Sequence, residues 1–428
     1  MEPGTFHGST VGRFAMSASI LHRLREVLGD RAVRPDDGGE DEGGGGIPRV
    51  EPESTEAVAA ACGLAHQEGW RVRIEGRGSW MPRDAPADLT ISTCRFHRIV
   101  DIAPADLIAT VDAGIGLDAL ARELAARGSW LPVDPPGRPE RSLGSVVASG
   151  TAGPLRHGFG PVRDHVLGST VVTGDGRVIS AGGRVVKNVA GFDLTRLQVG
   201  AFGAFGIITR LHLRLRAQPA ARLTLLATGP RDVLTRQARA LMEDRLAAAA
   251  LELCSPPNGD PDQWCLWLDL TGTDAGNRAE ADRAVTGSEV TWTTVGPDQA
   301  DQFRAAMAHA PLTQPVTIRI GVLADGLDET LDLLETTLAG GVVTAGPGRG
   351  LLRWSGSPDL AALRTIRQVG AEREMPVTLE RGPWPLRKAF GHFGAYREGV
   401  GPLVSRLKKT FDPDSMFVVS LEGNGAEG

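Results

Sequence analysis

The stretch from Ser142 to Asp164, SLGSVVASGTAGPLRHGFGPVRD, is rich in glycine and in small hydroxyl side chains. A backbone without Cβ atoms can lie flat along an extended ligand, where any larger side chain would intrude. Arg156 and Arg163 follow closely enough to balance negative charge on such a ligand. The alternative is a glycine-rich irregular connection braced by structural arginines. The residues that favour ligand contact are Ser142, Gly144, Gly150, Thr151 and Gly153.

A second loop of this kind, EGRGSW from Glu75 to Trp80, comes directly after the predicted strand WRVRIEG. Backbone N–H groups in a glycine-serine loop can approach a phosphate, and the Ser79 hydroxyl adds a donor. Many turns after a strand have a similar sequence, so this loop indicates a phosphate site only when it is considered together with the 142–164 stretch. Its candidate binding residues are Gly76, Arg77, Gly78 and Ser79.

A third stretch, GGRVVKNVAGFDLTRLQVGAFGAFGIITRLHLRL at 182–215, spaces Gly200, Gly203 and Gly206 three residues apart before a β-branched run. So many glycines disfavour a helix, and we interpret them as backbone clearance beside a ligand. Lys187 is one of four lysines in a chain that otherwise uses arginine, which suggests a need for a compact ammonium group. The alternative is that Asn188 and the residues around it only cap and flank the predicted helix DLTRLQVG.

The segment GIGLDA, Gly114 to Ala119, matches the glycine fingerprint of dinucleotide-binding Rossmann folds and lies between a predicted strand and a predicted helix. A complete strand–loop–helix unit precedes it, however, and no series of parallel strands follows. We therefore interpret this segment as a packing turn.

Composition limits the possible functions. A length of 428 residues predicts two or three domains, and a net charge of −6 argues against a nucleic-acid or anionic-membrane binder. The four cysteines form no CxxC motif, so we expect reduced thiols and no metal centre. No apolar run is long enough to span a bilayer, and the first 30 residues lack a signal-peptide pattern. These features predict a cytoplasmic protein without a transmembrane segment.

Two histidines, His157 and His392, attract attention because each lies beside glycine. A single histidine is more often a satisfied polar residue than a catalyst, so both are weak candidates for a general base. Lys187 is a third weak candidate.

Together these segments resemble the FAD-binding domain of the vanillyl-alcohol oxidase/PCMH superfamily of FAD-linked oxidases, from about Ile47 to Pro219. Within that range, 182–215 most closely resembles the E-type subunits of bacterial glycolate oxidases. The resemblance implies an α+β protein, with a PCMH-type two-subdomain FAD-binding fold and an α+β, ferredoxin-like cap. Alternating strands and helices after residue 220 agree with such a cap. The expected divisions are 1–46 (a helix and the acidic, glycine-rich DDGGEDEGGGG), 47–219 (FAD), 220–380 (cap) and 381–428 (a tail returning to the FAD domain).

The resemblance also implies the site. FAD would contact Gly76, Arg77, Gly78, Ser79, Ser142, Gly144, Gly150, Thr151, Gly153, Arg163, Gly203, Gly206, Ile207 and Ile208. Because the first loop has no histidine for attachment to the flavin, we expect non-covalent FAD. The chain also departs from the family. Its GHFGAYREGVG at 391–401 is not the His-x-Gly-Asp-Gly-Asn-x-His-like segment of the sister D-type chain, and FDPDSMF replaces the usual Asn-Pro-Gly-Arg ending.

The function implied is that of an FAD-binding subunit that helps to oxidise a small 2-hydroxy acid, glycolate, to glyoxylate. Its partners would be a D-type flavoprotein and an iron–sulfur subunit, which could hold it at the inner face of the plasma membrane. One alternative is a stand-alone FAD-linked oxidase of another 2-hydroxy acid or alcohol, with His392 or His157 as base. Another is a structural subunit without catalysis, which the two intact glycine loops disfavour.

Overall fold

The computed structural model describes residues 10–34, 47–183, 193–256, 263–338, 340–394 and 396–422. Lys187 and Asn188 lie outside these ranges. The helices are α1 (Thr10–Leu28), α2 (Thr55–Glu68), α3 (Leu117–Ala125), α4 (Leu143–Ser149), α5 (Arg156–Phe159), α6 (Leu194–Gln198), α7 (Arg231–Glu243), α8 (Asp274–Val285), α9 (Pro297–His309), α10 (Leu327–Thr337), α11 (Leu360–Glu372), α12 (Trp384–Phe390) and α13 (Val400–Phe411).

The first eleven strands are β1 (Val33–Arg34), β2 (Arg49–Val50), β3 (Val72–Glu75), β4 (Leu89–Ser92), β5 (Ile99–Ala103), β6 (Ile108–Asp112), β7 (Ser129–Trp130), β8 (Val166–Val172), β9 (Val178–Gly182), β10 (Ile207–Arg214) and β11 (Arg216–Ala217). The remaining eight are β12 (Ala221–Gly229), β13 (Ala250–Cys254), β14 (Trp264–Gly272), β15 (Trp292–Val295), β16 (Val316–Gly321), β17 (Val342–Gly346), β18 (Leu351–Gly356) and β19 (Val377–Arg381).

A small sheet with the order β1-β2-β4-β3 forms the first layer, in which β2, β4 and β3 run parallel. Helix α2 packs on it and begins where the Ser54 hydroxyl accepts a hydrogen bond from the N–H of Ala57 at 3.1 Å. The helix ends at Gly69, which has a left-handed conformation. Ile20 and Leu24 of α1 pack into the same core, so the N-terminal helix belongs to this layer.

The second layer is an antiparallel sheet with the order β5-β6-β10-β8-β9. Strands β8 and β9 form a hairpin with its turn at residues 174–176. Segment GIGLDA does connect a strand, β6, to a helix, α3, but both neighbours of β6 are antiparallel to it. The Rossmann alternative is therefore wrong, because that fold needs parallel strands around its phosphate loop.

The cap is a single eight-stranded antiparallel sheet with the order β15-β12-β14-β13-β17-β18-β16-β19. It consists of two βαββαβ units, β12-α7-β13-β14-α8-β15 and β16-α10-β17-β18-α11-β19. Each unit has the same internal strand order, and the two meet edge to edge where β13 pairs with β17. The ferredoxin-like α+β cap predicted from the resemblance is thus a tandem of two such units, and the predicted fold class is confirmed.

The two faces of the cap sheet differ in chemistry. Helices α7, α8, α10 and α11 cover one face and form a large apolar core with it. Along each strand the alternate residues point the other way, and here they include Glu252, Asp269, Arg353 and Glu380. This polar face packs towards the part of the chain that forms the first two layers, since Arg353 donates a hydrogen bond to the carbonyl of Ala152 at 2.9 Å.

After the cap, the chain returns to the first layer. Phe417 pairs with Val72 as an extra parallel bridge, and the N–H of Val418 donates to the Val72 carbonyl at 2.9 Å. Helix α13 ends before Asp412. Within the described residues, no helix combines the length and apolarity that crossing a membrane requires.

Candidate functional site

A deep cleft opens where β3, helix α4, the loop before β10 and the C-terminal tail meet. It holds about 1070 Å³ of space, its open mouth included, which suits a cofactor. Ten of the predicted residues line it: Gly76, Arg77, Gly78, Ser79, Gly144, Gly203, Gly206, Ile207, Ile208 and His392. Segments more than 300 residues apart in sequence thus meet in one site.

The loop after β3 presents unpaired backbone donors. Among the described residues, the N–H groups of 76–80 have no acceptor, whereas the Gly76 carbonyl accepts from the Ser92 hydroxyl at 2.8 Å. A Cβ atom on Gly76 would collide with the Ser142 hydroxyl, which is buried and itself has no hydrogen-bond partner. A run of free N–H groups beside an orphan hydroxyl fits a phosphate group.

The lining of the cleft carries excess positive charge. Arg73, Arg77 and Arg387 line it against a single carboxylate, Glu75. Arg77 is held by a hydrogen bond from its Nε to the Gly114 carbonyl at 3.1 Å, in the segment that imitates the Rossmann fingerprint. This balance of charge favours a dianionic ligand such as a pyrophosphate.

The glycines at 200, 203 and 206 have different roles. Gly203 has a φ of 82° and lines the cleft, where an added Cβ would lie 3.2 Å from Cδ1 of Ile74. A Cβ on Gly206 would lie 2.6 Å from the Val172 carbonyl oxygen, so β8 itself requires glycine there. Gly200 does not line the cleft. Glycine at 203 is therefore explained by the need to leave space for a ligand in the cleft. Glycine at 206 is explained by the close approach of the β8 backbone.

His392 lies at the inner end of the cleft, fully buried. Its Nδ1 is 2.6 Å from the Leu379 carbonyl, to which it donates, so Nε2 is left as the unprotonated nitrogen. Its ring stacks on Phe202, with centroids 3.7 Å apart and planes at 11°. Burial lowers the pKa of His392 to about 4, which keeps the ring neutral at physiological pH. Phe202 has a φ of 54°, an unusual conformation for a side chain of this size.

Several predicted residues lie outside the cleft. The Gly150 carbonyl accepts from Arg319 of the cap at 3.0 Å, and the Thr151 hydroxyl accepts from Arg141 at 3.3 Å. Gly153 packs on the main chain at Asp134, and Arg163 is exposed beside Asp164. Ser142 lies directly behind the cleft at Gly76. Of these five residues, Gly150 contacts the cap directly.

His157 is also apart from the cleft. A Cβ atom on Gly348 would lie 2.7 Å from its Nδ1, which has no hydrogen-bond partner, and burial followed by the charge of Arg349 lowers its pKa to about 4. Of the three weak catalytic candidates, the structure brings only His392 to the cleft, and Lys187 lies outside the described residues.

Sequence reasoning missed a buried arginine cluster at the seam. Glu380, fully buried, pairs with Arg353 at 2.7 Å and with Arg319 at 3.0 Å. Arg141 lies close enough to Glu380 to interact with it electrostatically and donates to the Pro136 carbonyl at 2.6 Å. Because these arginines bond to main-chain carbonyls of 150–152 and 136, they fix the loop that carries the glycines. In the sequence, the only indication of Arg319, Arg353 and Glu380 is that polar residues alternate with apolar ones along the cap strands.

A second chamber lies between α3, the proline-rich loop after β7 and the polar face of the first cap unit. Two carboxyl groups within it have no direct cation partner among the described residues. Burial raises the pKa of Asp134 to about 7 and that of Glu252 to about 8. Asp134 accepts hydrogen bonds from the N–H of Leu155 at 3.1 Å.

Comparison with known proteins agrees with this architecture. A family model described as an FAD binding domain matches residues 48–182. The chain is 31% identical over 341 residues to glycolate oxidase subunit GlcE of Escherichia coli (strain K12), covering 76% of this chain and 84% of that protein. It is 30% identical over 195 residues to glycolate oxidase subunit GlcD of Bacillus subtilis (strain 168), covering 43% and 42%.

Two solved structures share the fold. Alkyldihydroxyacetonephosphate synthase has a TM-score of 0.72 at 13% identity, covering 94% of this chain and 84% of that chain. The 4-ethylphenol oxidase of Gulosibacter chungangensis has a TM-score of 0.70 at 15% identity, covering 96% and 98%. At these identities the likeness concerns the fold alone.

The residues present fit FAD. The free N–H groups after β3 and the surplus of arginine suit its pyrophosphate, and the rest of the long cleft is apolar enough for its rings. When bound, FAD supplies the two-electron redox chemistry that no side chain here provides. The chain belongs to the FAD-linked oxidoreductases with a PCMH-type FAD-binding domain, the family that includes glycolate oxidase subunit GlcE.

Proposed function

We propose that this chain is the FAD-carrying, E-type subunit of a complex that oxidises glycolate to glyoxylate. Its partners would be a D-type flavoprotein and an iron–sulfur subunit. The observation that carries the proposal is the extent of the similarity to GlcE, which covers 84% of that protein and extends beyond the 48–182 range of the FAD-binding model. The complex would act in the cytoplasm, held at the inner face of the membrane by its other subunits.

We infer that FAD is bound without a covalent bond. The loop after β3, which runs from Gly76 to Met81, contains neither histidine nor cysteine. The histidine that does line the cleft, His392, is buried and bonded through Nδ1 to the Leu379 carbonyl. Both facts support retention of FAD by backbone donors and arginines alone.

We infer further that the main task of this chain is electron transfer or assembly. Removing a hydride from a 2-hydroxy acid needs a base at the hydroxyl and, for a small anion, a cation at the carboxylate. Arg77 is bound to the Gly114 carbonyl and Arg387 to Asp84 at 2.5 Å. In the second chamber, Arg353 is paired with Glu380 and Arg304 with Asp269 at 3.0 Å. These four arginines, which line the two cavities, are therefore already engaged.

A second candidate function rests on His392. Its unprotonated Nε2 in the cleft has the chemistry of a hydroxyl base, which would allow the chain to oxidise a 2-hydroxy acid or alcohol by itself. Its lowered pKa makes it a weak base, so we rank this candidate second.

One experiment separates the two. The full chain is purified alone, its visible spectrum is recorded, and glycolate is added without oxygen. The proposal of an E-type subunit predicts a flavin spectrum that stays oxidised until the partner chains are added. Bleaching by glycolate in the isolated chain would favour the second candidate. A colourless protein that fails to take up added FAD would contradict both.

A further inference from the structure

The guanidinium group of Arg83 lies across the glycine loop after β3. A Cβ atom placed on Gly78 would lie 2.6 Å from Nε of Arg83 and 2.8 Å from its Cζ. Gly78 has a φ of 66°, so the loop bends in a way that only glycine adopts easily. Arg83 is therefore in contact with the segment whose backbone N–H groups have no acceptor.

The side chain of Arg83 is loosely held. It is 48% exposed, and among the described residues it donates no hydrogen bond. Its charge contact is with Glu75, whose Oε1 lies 3.2 Å from Nε but has no hydrogen-bond partner. The main chain is better fixed, because the Arg83 carbonyl accepts from Nη1 of Arg73 at 2.5 Å. A fixed backbone with an uncommitted guanidinium group is suited to an incoming anion.

Arg83 shares its carboxylate partner with two other arginines. The Glu75 carboxylate faces three guanidinium groups, with Arg49 at 2.5 Å, Arg73 at 3.5 Å and Arg83 at 3.2 Å. Glu75 is buried, so neither water nor salt screens these charges fully. Arg49 also pairs with Glu51 at 3.0 Å, whereas Arg83 is 48% exposed and touches the loop that carries the free N–H groups. An anion at this point would be stabilised by both.

We propose that Arg83 binds the pyrophosphate of FAD, with Glu75 left to neutralise Arg49 and Arg73. A planar guanidinium group can donate two parallel hydrogen bonds to phosphate oxygens. The backbone N–H groups of the loop bind the same pyrophosphate from the other side. This inference rests on FAD binding by the domain and is independent of the substrate and of the partner subunits.

The test compares two variants with a matched control. Arg83→Gln removes the positive charge. Arg83→Lys keeps the charge but replaces the planar guanidinium group, with its two parallel donors, by an ammonium group. Arg71→Gln is the control, because Arg71 is 56% exposed and its guanidinium group is hydrogen-bonded to Asp88, whereas that of Arg83 donates no hydrogen bond among the described residues. The full chain is stripped of flavin and titrated with FAD at several NaCl concentrations, and thermal midpoints of the apoproteins report folding.

We expect Arg83→Gln to raise the Kd for FAD about 10- to 100-fold, the range for charge-assisted bonds, and to weaken its salt dependence. The Kd of Arg83→Lys for FAD should lie between those of Arg83→Gln and the wild type. The Kd of Arg71→Gln should stay within about twofold of the wild-type value, as expected when an exposed ion pair is removed. Riboflavin, which lacks the pyrophosphate, should bind the wild type and Arg83→Gln equally.

Three results would overturn the assignment: unchanged FAD affinity in Arg83→Gln, an equal loss in Arg71→Gln, or a loss with unchanged salt dependence. An equal loss of riboflavin affinity would also overturn it, since that points to a general change in the cleft. A wild-type chain that takes up no FAD contradicts the cofactor itself, which is a distinct outcome. Failure to respond to glycolate leaves this proposal intact.

Discussion

The Glu380 carboxylate lies 2.7 Å from Nε of Arg353, and both side chains are buried between the cap and the FAD-binding layers. Arg353 in turn donates to the Ala152 carbonyl. Because Arg319 shares the same carboxylate and bonds to the Gly150 carbonyl, one acidic residue organises the contact between the two domains.

Replacing Glu380 by Gln should therefore be strongly destabilising. It leaves two buried arginines without their counter-charge, and breaking a buried pair in this way costs about 3–5 kcal/mol. Denaturant unfolding of the full chain measures the effect. The control is Glu329→Gln, because Glu329 pairs with Arg373 at 3.1 Å on the surface, and that change should cost less than about 1 kcal/mol. Equal losses in both variants would show that the buried cluster has no special role.

Gly203→Val should remove FAD from the protein. The position has a φ of 82° and borders the cleft, and an added Cβ would lie 3.2 Å from the flexible Cδ1 of Ile74, so the new side chain would project where the cofactor is proposed to lie. Gly128→Val is the control for backbone strain, since Gly128 has a φ of 64°, an added Cβ there would meet no atom of the described residues within 4 Å, and the position lies outside the cleft. Each variant should lose roughly 1–2 kcal/mol through its backbone. Only Gly203→Val should lose flavin absorbance per mole of protein.

Gly150→Val should act by a different route. Its Cβ would lie 3.0 Å from Cα of Gly200 and would not enter the cleft. We expect it to disturb the end of α4 and the contact with Arg319, and so to lower stability by about 1–3 kcal/mol before it affects FAD. Thermal midpoints of the apoprotein and the holoprotein decide the point. An apoprotein as stable as the wild type that nevertheless loses flavin would contradict this reasoning.

Asp134 should make the protein less stable as the pH rises. Its pKa is raised from 3.8 to about 7 in the folded chain, so between these values the folded state holds a proton that the unfolded state has lost. The contribution to stability is complete below about pH 4, falls as the pH rises and is gone above about pH 7. Asp134→Asn should remove this loss, a gain of about 1–3 kcal/mol at pH 8. The exposed Asp106→Asn should show no such dependence, and a flat difference between wild type and Asp134→Asn would refute the prediction.

His392 should make the protein less stable as the pH falls. Its pKa is lowered from 6.5 to about 4, so the unfolded chain takes up a proton that the folded chain does not. Stability should fall as the pH decreases from 6.5 towards 4. His392→Asn, which keeps a donor for the Leu379 carbonyl, should reduce that fall by about 1–3 kcal/mol. His22→Asn, at an exposed position, is the control. Direct NMR titration of the ring of His392 should find it neutral at about pH 5.5.

Local features of the chain were predictable from sequence because they depend on neighbouring residues. Ser54 caps α2 and Gly69 ends it, and the turn at residues 174–176 joins β8 to β9. The loop at 76–79 could be identified because its glycines follow a strand directly. The fold class followed from the resemblance of whole segments and is confirmed by the comparisons.

Sequence alone determined the elements, the glycine loop after β3 and the family. Only the tertiary structure decided which glycines border the cleft, because Gly203 and Gly150 look alike in sequence and differ only in what packs against them. The tertiary structure also shows that His392, and not His157, lines the cleft, on the part of the chain that precedes the pairing of Phe417 with Val72. Glu380 became central because burial leaves it as the carboxylate that two arginines from other strands share. Such roles arise from contacts between distant segments, and no local pattern encodes them.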